Sequence, residues 1–315
     1  DTALAVNPED ERYENLIGRK VRIPLINREI KIIADEYADP QFGTGVVKIT
    51  PFHDPNDFEV GNRHNLPKIQ VIGFDGKMTK NAGKYAGLEV LEARKKILED
   101  LRKINALFKE EDITHVVGYD YKSGEPIQPL VKEQWFISTK PLAKKALEAL
   151  ENNEIKFTPE NKKNVLAEYL KNIRDWNISR QIPWGIPIPA FQNIEDSTDW
   201  IFDERVHESQ IEINGKTYRR DEDTLDTWFS SGQWPFITTD FLEGGELSKF
   251  YPNSVMETGH DLIFPWISRM IMLGIYCTGQ IPFREVYLHG MVLDEHGQKM
   301  SKSKGNVINP MDVIA

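Results

Sequence analysis

Lys299, Lys302 and Lys304 crowd the end of the chain, separated by Met300, Ser301 and Ser303 and flanked by Gly297 and Gly305. Glycines and small polar residues at this spacing make a loop that can bring ammonium groups to bear on something strongly negative. A polyphosphate leaving group fits, because positive charge placed where negative charge develops lowers the barrier to its departure. Upstream, Gly259-His260-Asp261 joins a strand-like stretch (Ser254-Val255-Met256-Glu257-Thr258) to an apolar segment. Asp261 there can cap the following helix. Alternatively, Gly259 lets a ligand approach and the carboxylate binds a ribose hydroxyl. A third group lies near the start: Lys48 and Thr50 share one face of a strand by period two. Asp54 and Asp57 follow on a Pro-punctuated loop. These carboxylates can bind an ammonium group, or cap a helix near Phe58.

Other nucleotide and metal motifs are excluded. Gly43-Thr44-Gly45 lacks the third glycine of a dinucleotide fingerprint, and no G-x-x-x-x-G-K-[ST] occurs. His53 and His64 have no metal-ligand spacing with each other or with the single cysteine, Cys277. One cysteine also excludes internal disulfides and suits a reducing cytoplasm, so a cytoplasmic location is expected. With 40% hydrophobic and 28% charged residues, the 315-residue chain reads as folded, with length for two domains. A net charge of −10 requires any nucleic-acid partner to be met by local basic patches or by other parts of a larger protein. No apolar run reaches membrane-spanning length, so no membrane partner is expected. The first residue is Asp1 rather than Met, which reads as a fragment.

The elements that must position these groups follow from periodicity. Val21–Leu25, Glu29–Ile33 and Val46–Thr50 read as short strands of a small barrel or folded sheet. Residues 91–101 and 141–150 read as amphipathic helices. The polar run Glu151-Asn152-Asn153-Glu154 predicts a domain boundary, giving domains 1–153 and 154–315. Helices are expected over 165–173 and 262–274, and a small polar insertion over about 193–220 with a hairpin turn at Asn214-Gly215. Val286–Leu293 reads as a buried strand feeding the lysine loop, which is α/β logic with ligand at the carboxyl ends of strands.

Lys299-Met300-Ser301-Lys302-Ser303 matches the second signature of the class I aminoacyl-tRNA synthetases. Asp223–Gly232, Gly259–Met270 and Asp175–Gln181 resemble the valyl members of that class. The isoleucyl relatives carry Asp-Gln-His-Arg-Gly after the Gly-x-Asp start, whereas these positions are apolar here. The resemblance implies the second half of a Rossmann-like catalytic core with an inserted, mainly β editing domain. It implies valine, ATP with Mg2+ and valine tRNA as substrates, and a monomeric enzyme. Lys299 and Lys302 would act on the pyrophosphate, Asp261 with Gly259 on the ribose, and His289, Gly290 and Met291 along the adenine. Trp228 and Ile263 would line the valine pocket, although ordinary core is the commonest fate of such residues.

A tight apolar pocket rejects a hydroxyl isostere poorly, for which the valyl enzymes facing threonine are themselves the standard illustration. A hydrolytic site is therefore implied. Phe42–Asp57 resembles the editing motif, with Phe42 bounding the pocket and Lys48, Thr50, Asp54 and Asp57 contacting the misacylated end. The first class I signature, His-x-Gly-His, is absent from the sequence, as is Thr-Thr-Arg-Pro-Glu ahead of the editing region. The chain thus reads as a middle section of a longer enzyme, inactive in aminoacylation alone. No cysteines occur where relatives carry a zinc knuckle, so no zinc is expected there. An isoleucyl enzyme and a stand-alone deacylase remain as alternatives.

Overall fold

The computed structural model describes residues 1–112, 114–120, 123–301, 305–308, 311 and 314. The chain divides into two compact units, Asp1–Glu133 and Gln134–Ala315. The first is built on β1 (Ala3–Val6), β2 (Lys20–Arg22), β3 (Glu29–Ala34) and β4 (Val46–Ile49). Their order is β2-β3-β1-β4. β1 runs parallel to β3, with Ala3 opposite Lys31, and antiparallel to β4, with Ala3 opposite Ile49. Along β3, Glu29 and Lys31 are exposed while Ile30 and Ile32 are buried, the two-residue alternation of a half-buried strand. Ala3, Ala5 and Ile49 pack against Val60 of α1 (Pro55–Arg63).

That helix begins as its sequence dictates. The Asp54 carboxylate accepts from the backbone N–H of Asn56 at 2.8 Å and of Asp57 at 3.0 Å, and Pro55 fills the first turn. Behind it, His53 Nε2 accepts from the N–H groups of Val71 at 2.9 Å and Ile72 at 3.3 Å. Its proton therefore sits on Nδ1, which donates to the Pro129 carbonyl at 3.2 Å. Burial pushes the His53 pKa below the ordinary histidine value, so the neutral ring serves as a structural tie rather than a ligand. A second amphipathic helix, α2 (Val90–Lys103), follows in this unit.

The second unit opens with β5 (Phe136–Ile137), α3 (Lys140–Glu151), β6 (Lys156–Thr158), α4 (Asn161–Lys171), β7 (Trp176–Asn177) and β8 (Ser179–Arg180). Leu142, Ala143, Ala146 and Leu150 of α3 share a core with Met270 and Ile271, more than a hundred residues away in sequence. This helix precedes the boundary expected at 153/154, yet it belongs to the second unit, which starts at Gln134. A polar turn after a helix marks a loop, and only packing tells which core the helix serves.

The insertion is a sheet of β9 (Ala190–Asn193), β10 (Trp200–Phe202), β11 (Gln210–Ile213) and β12 (Lys216–Arg220), in the order β10-β9-β12-β11. Asn214 and Gly215 turn β11 into β12 with positive φ at both residues. Phe191, Ile211 and Tyr218 form its core. Asp199 accepts from Lys216 Nζ at 2.8 Å, Asn193 Nδ2 at 2.9 Å and the Tyr218 hydroxyl at 3.0 Å. The Lys216 ammonium leads in holding that carboxyl at about 2.

Next come β13 (Thr224–Leu225), α5 (Thr227–Ser231), α6 (Trp234–Ile237), β14 (Asn253–Gly259), α7 (Ser268–Thr278) and β15 (Phe283–His289). β14, β15 and β6 form a three-stranded parallel sheet in that order. The expected helix 262–274 is a composite: a 3-10 turn at His260–Leu262, a π-turn at Ile263–Ile267, then α7. Pro265 has no N–H to give an α-helical ladder, which accounts for the irregular entry. β15 ends at His289, so Gly290 and Met291 leave the strand sooner than periodicity suggests. Among the described residues, no helix is long and apolar enough to cross a membrane.

Candidate functional site

Parallel pairing places the carboxyl ends of β14 and β15 side by side, with Gly259 opposite His289. A Cβ on Gly259 would come within 2.7 Å of Asp261 Oδ1 and 3.7 Å of His289 Cε1, so glycine is what allows these groups to gather. His289 Nε2 lies 3.2 Å from Glu257 Oε1 and its Nδ1 lies 2.7 Å from the Gly290 carbonyl. Asp261, just past β14, lies inside the 3-10 turn whose N-cap is Gly259, so it is not the capping residue. Its Oδ2 accepts instead from Lys299 Nζ at 2.8 Å. The Lys299 hydrogen bond leads in lowering the Asp261 pKa below the usual carboxylate value. Two residues from separate sequence motifs thus meet at one sheet end. At 64% and 29% side-chain exposure, this ion pair can exchange for other partners at small cost.

The chain returns to this sheet end through a tight turn. Leu293 bridges Lys299 in antiparallel fashion. Asp294 Oδ1 accepts from the N–H of His296 at 3.0 Å and of Gln298 at 2.7 Å, while Gly297 takes a φ of +72°. Asn306 Nδ2 donates to Asp294 Oδ2 at 2.7 Å, and Asn306 Oδ1 accepts from Ser301 N–H at 2.9 Å. Neither Asp294 nor Asn306 stands out in the sequence. The signal was available as an Asx residue before Gly297 and an amide just past Gly305. Lys302 lies outside the described residues.

Trp228 and Ile263 enter different cores. Ile263 is 3% exposed, in the cluster that contains Met256 and Val286. Trp228 packs on the cluster of Trp176, Phe236, Tyr251 and Leu273. α5 is set by Asp226, which sequence reading passed over. The Asp226 carboxylate accepts from Trp228 N–H at 3.4 Å and Trp176 Nε1 at 3.0 Å, and pairs with Arg180 at 2.9 Å. Trp266 Nε1 donates to the Ser231 carbonyl at 3.0 Å, tying the π-turn to the end of α5.

In the first unit, Lys48, Thr50 and Asp57 form one hydrogen-bonded cluster at the end of β4. Asp57, only 3% exposed, accepts the Thr50 N–H at 2.8 Å and lies 3.5 Å from Lys48 Nζ. Lys48 Nζ also reaches Thr50 Oγ1 at 3.3 Å, and that hydroxyl donates to Asp1 Oδ1 at 2.6 Å. Of the two acids expected to cap a helix, Asp54 does so, while the Asp57 carboxylate turns back to the strand. Phe42, 81% exposed on the loop ahead of β4, stands outside this hydrogen-bonded cluster.

A family model described as "tRNA synthetases class I (I, L, M and V)" matches residues 19–315. Among curated relatives, valine–tRNA ligases of Pseudothermotoga lettingae and Carboxydothermus hydrogenoformans are each 50% identical, over 99% and 100% of this chain. That of Petrotoga mobilis is 51% identical over 100%. The chain spans 36% of the length of each of these three. A Mycobacterium tuberculosis methionyl-tRNA synthetase structure matches at 20% identity, covering 62% of this chain and 33% of that one, with a TM-score of 0.42. That likeness is too slight to bear on function. Carrying an intact lysine signature and matched over nearly its whole length, the chain belongs to the class I tRNA synthetases.

Proposed function

We propose that this chain is part of a valine–tRNA ligase that activates valine with magnesium-bound ATP and esterifies valine tRNA. The observation that carries this reading is the meeting of Asp261 and Lys299 at the carboxyl ends of β14 and β15, the place where parallel sheets bind ligands. In this reading Asp261 and Gly259 receive the ribose, and His289, Gly290 and Met291 flank the adenine. Lys299 and Lys302 stabilise the departing pyrophosphate. A cation worth several kcal/mol to the transition state there acts without bonding covalently to the substrate.

In this reading Trp228 and Ile263 line the valine side-chain pocket, a role that rests on the resemblance. The apolar run Leu262-Ile263-Phe264-Pro265 and the roughly half-identical valine–tRNA ligases favour valine over isoleucine. The first unit serves as the editing domain that hydrolyses threonyl-tRNA, with Phe42, Lys48, Thr50, Asp54 and Asp57 around the misacylated end. A chain without His-x-Gly-His holds only part of the activation site, so it does not aminoacylate by itself. The enzyme acts as a monomer in the cytoplasm.

Amino-acid-dependent exchange of pyrophosphate into ATP by the full-length enzyme tests the assignment. Valine should support exchange at least about a hundredfold more efficiently than isoleucine, since an extra methylene must be forced into a filled pocket. Exchange supported by isoleucine and not by valine would replace this reading with the isoleucyl one.

A further inference from the structure

We propose that Asp294 and Asn306 are positioning residues that hold the backbone on both sides of Lys299, so that its ammonium is delivered to the sheet end. This rests on the reading of Lys299 as a pyrophosphate contact. A lysine side chain has many rotamers and finds its target only if its Cα is fixed. Here every flank of Lys299 is tied. The preceding residue, Gln298, gives its N–H to Asp294 Oδ1 at 2.7 Å. The Lys299 carbonyl accepts from Asn306 Nδ2 at 3.3 Å, and Ser301 gives its N–H to Asn306 Oδ1 at 2.9 Å. The two clamping side chains meet each other at 2.7 Å through Asn306 Nδ2 and Asp294 Oδ2. From that frame Lys299 Nζ reaches Asp261 at 2.8 Å.

The chemistry of the clasp is directional. Asp294 offers acceptors only, and the amide of Asn306 must supply both a donor and an acceptor. A carboxylate in place of that amide would set two negative groups against each other. Exchanging the two side chains restores the match. The amide moved to the first position would still accept the two turn N–H groups through its oxygen. Its NH2 would donate to the carboxylate moved to the second position, whose other oxygen would take the Ser301 N–H. The Lys299 carbonyl would lose its donor and face a carboxylate oxygen, so the recovery is expected to be partial.

The test uses valine-dependent pyrophosphate exchange and thermal melting of the full-length enzyme carrying N306A, N306D, or the double exchange D294N/N306D. The single variants should lower kcat about tenfold, a cost of about 1.4 kcal/mol in the transition state. Their valine KM should stay within about twofold and their melting temperature unchanged, because the clasp acts on a surface turn. The double exchange should raise kcat above that of N306D by about threefold or more. Wild-type kcat in N306D would overturn the proposal, as would a double exchange that recovers nothing. So would activity that falls only in step with the folded fraction. A wild-type enzyme without valine-dependent exchange would instead remove the reading of the site, and the clasp's purpose with it.

Discussion

Replacing Lys299 by alanine should lower the rate of adenylate formation by the full-length enzyme about a hundredfold, equivalent to about 2.7 kcal/mol of transition-state stabilisation. The valine KM should stay within about twofold, since nothing places this ammonium near the side-chain pocket. The fold should be indifferent. The Asp261 partner is an exposed ion pair, worth at most about 1 kcal/mol. Without Lys299 its carboxyl returns toward the ordinary carboxylate range and remains ionised at neutral pH. Lys299→Arg keeps the charge with a different reach and should fall between wild type and alanine. Rapid-quench measurement of valyl-adenylate at saturating valine decides. A rate within about threefold of wild type for the alanine variant would remove Lys299 from the chemistry.

The second large effect is expected in the first unit. Asp57 is a nearly buried carboxylate with two duties: it accepts the Thr50 N–H and it faces the Lys48 ammonium. Alanine there leaves a backbone N–H without its acceptor and should cost about 1–3 kcal/mol of stability. That loss would confound any activity measurement, so asparagine is the sharper substitution. Its Oδ1 can keep the Thr50 hydrogen bond while the charge is gone. With Asp57→Asn, deacylation of threonyl-tRNA should fall about a hundredfold and threonyl-tRNA should accumulate, with valine charging unchanged and melting close to wild type. Asp57→Asn deacylating at the wild-type rate would assign this carboxylate to the architecture of β4 alone. By contrast, Asp54→Ala should cost only about 1 kcal/mol, because its oxygen does the work of a helix cap.

Local features were legible in the sequence where short-range physics sets them. Alternation in Glu29–Ile33 gave β3, and the Asn214-Gly215 pair gave the hairpin between β11 and β12. Apolar spacing gave α2 and α3 to within a few residues. What was not legible depends on partners remote in sequence. β1 has four residues and earns its place only by pairing with β3 on one side and β4 on the other. α3 precedes the polar turn at 151–154, yet its apolar face packs on α7, which no local window contains. The π-turn at Ile263–Ile267 was hidden in an apolar run that reads as plain helix, with Pro265 the one hint.

The candidate site divides along the same line. Asp261 and Lys299 stood out as residue types, and their contact at 2.8 Å is what the fold adds. Asp294, Asn306 and Asp226 are common polar residues whose importance lies in the hydrogen bonds they receive and give. For Asp294 and Asn306 the neighbouring Gly297 and Gly305 hint at a turn, but their partners are supplied only by the fold. Trp228 and Ile263, which the resemblance pairs in one pocket, sit in separate hydrophobic clusters, and their shared role rests on the resemblance.

The seating of the nucleotide is the claim on which the rest depends, and its most direct measurement compares ATP with 2′,3′-dideoxy-ATP in adenylate formation by the full-length enzyme and its Asp261→Ala variant. A carboxylate that binds ribose hydroxyls should make the wild type prefer ATP by about a hundredfold, since an unmet buried or charged hydrogen-bonding group is costly. The alanine variant should lose that preference and treat the two nucleotides within about threefold of each other. An undiminished preference in Asp261→Ala would place the ribose elsewhere and contradict the account.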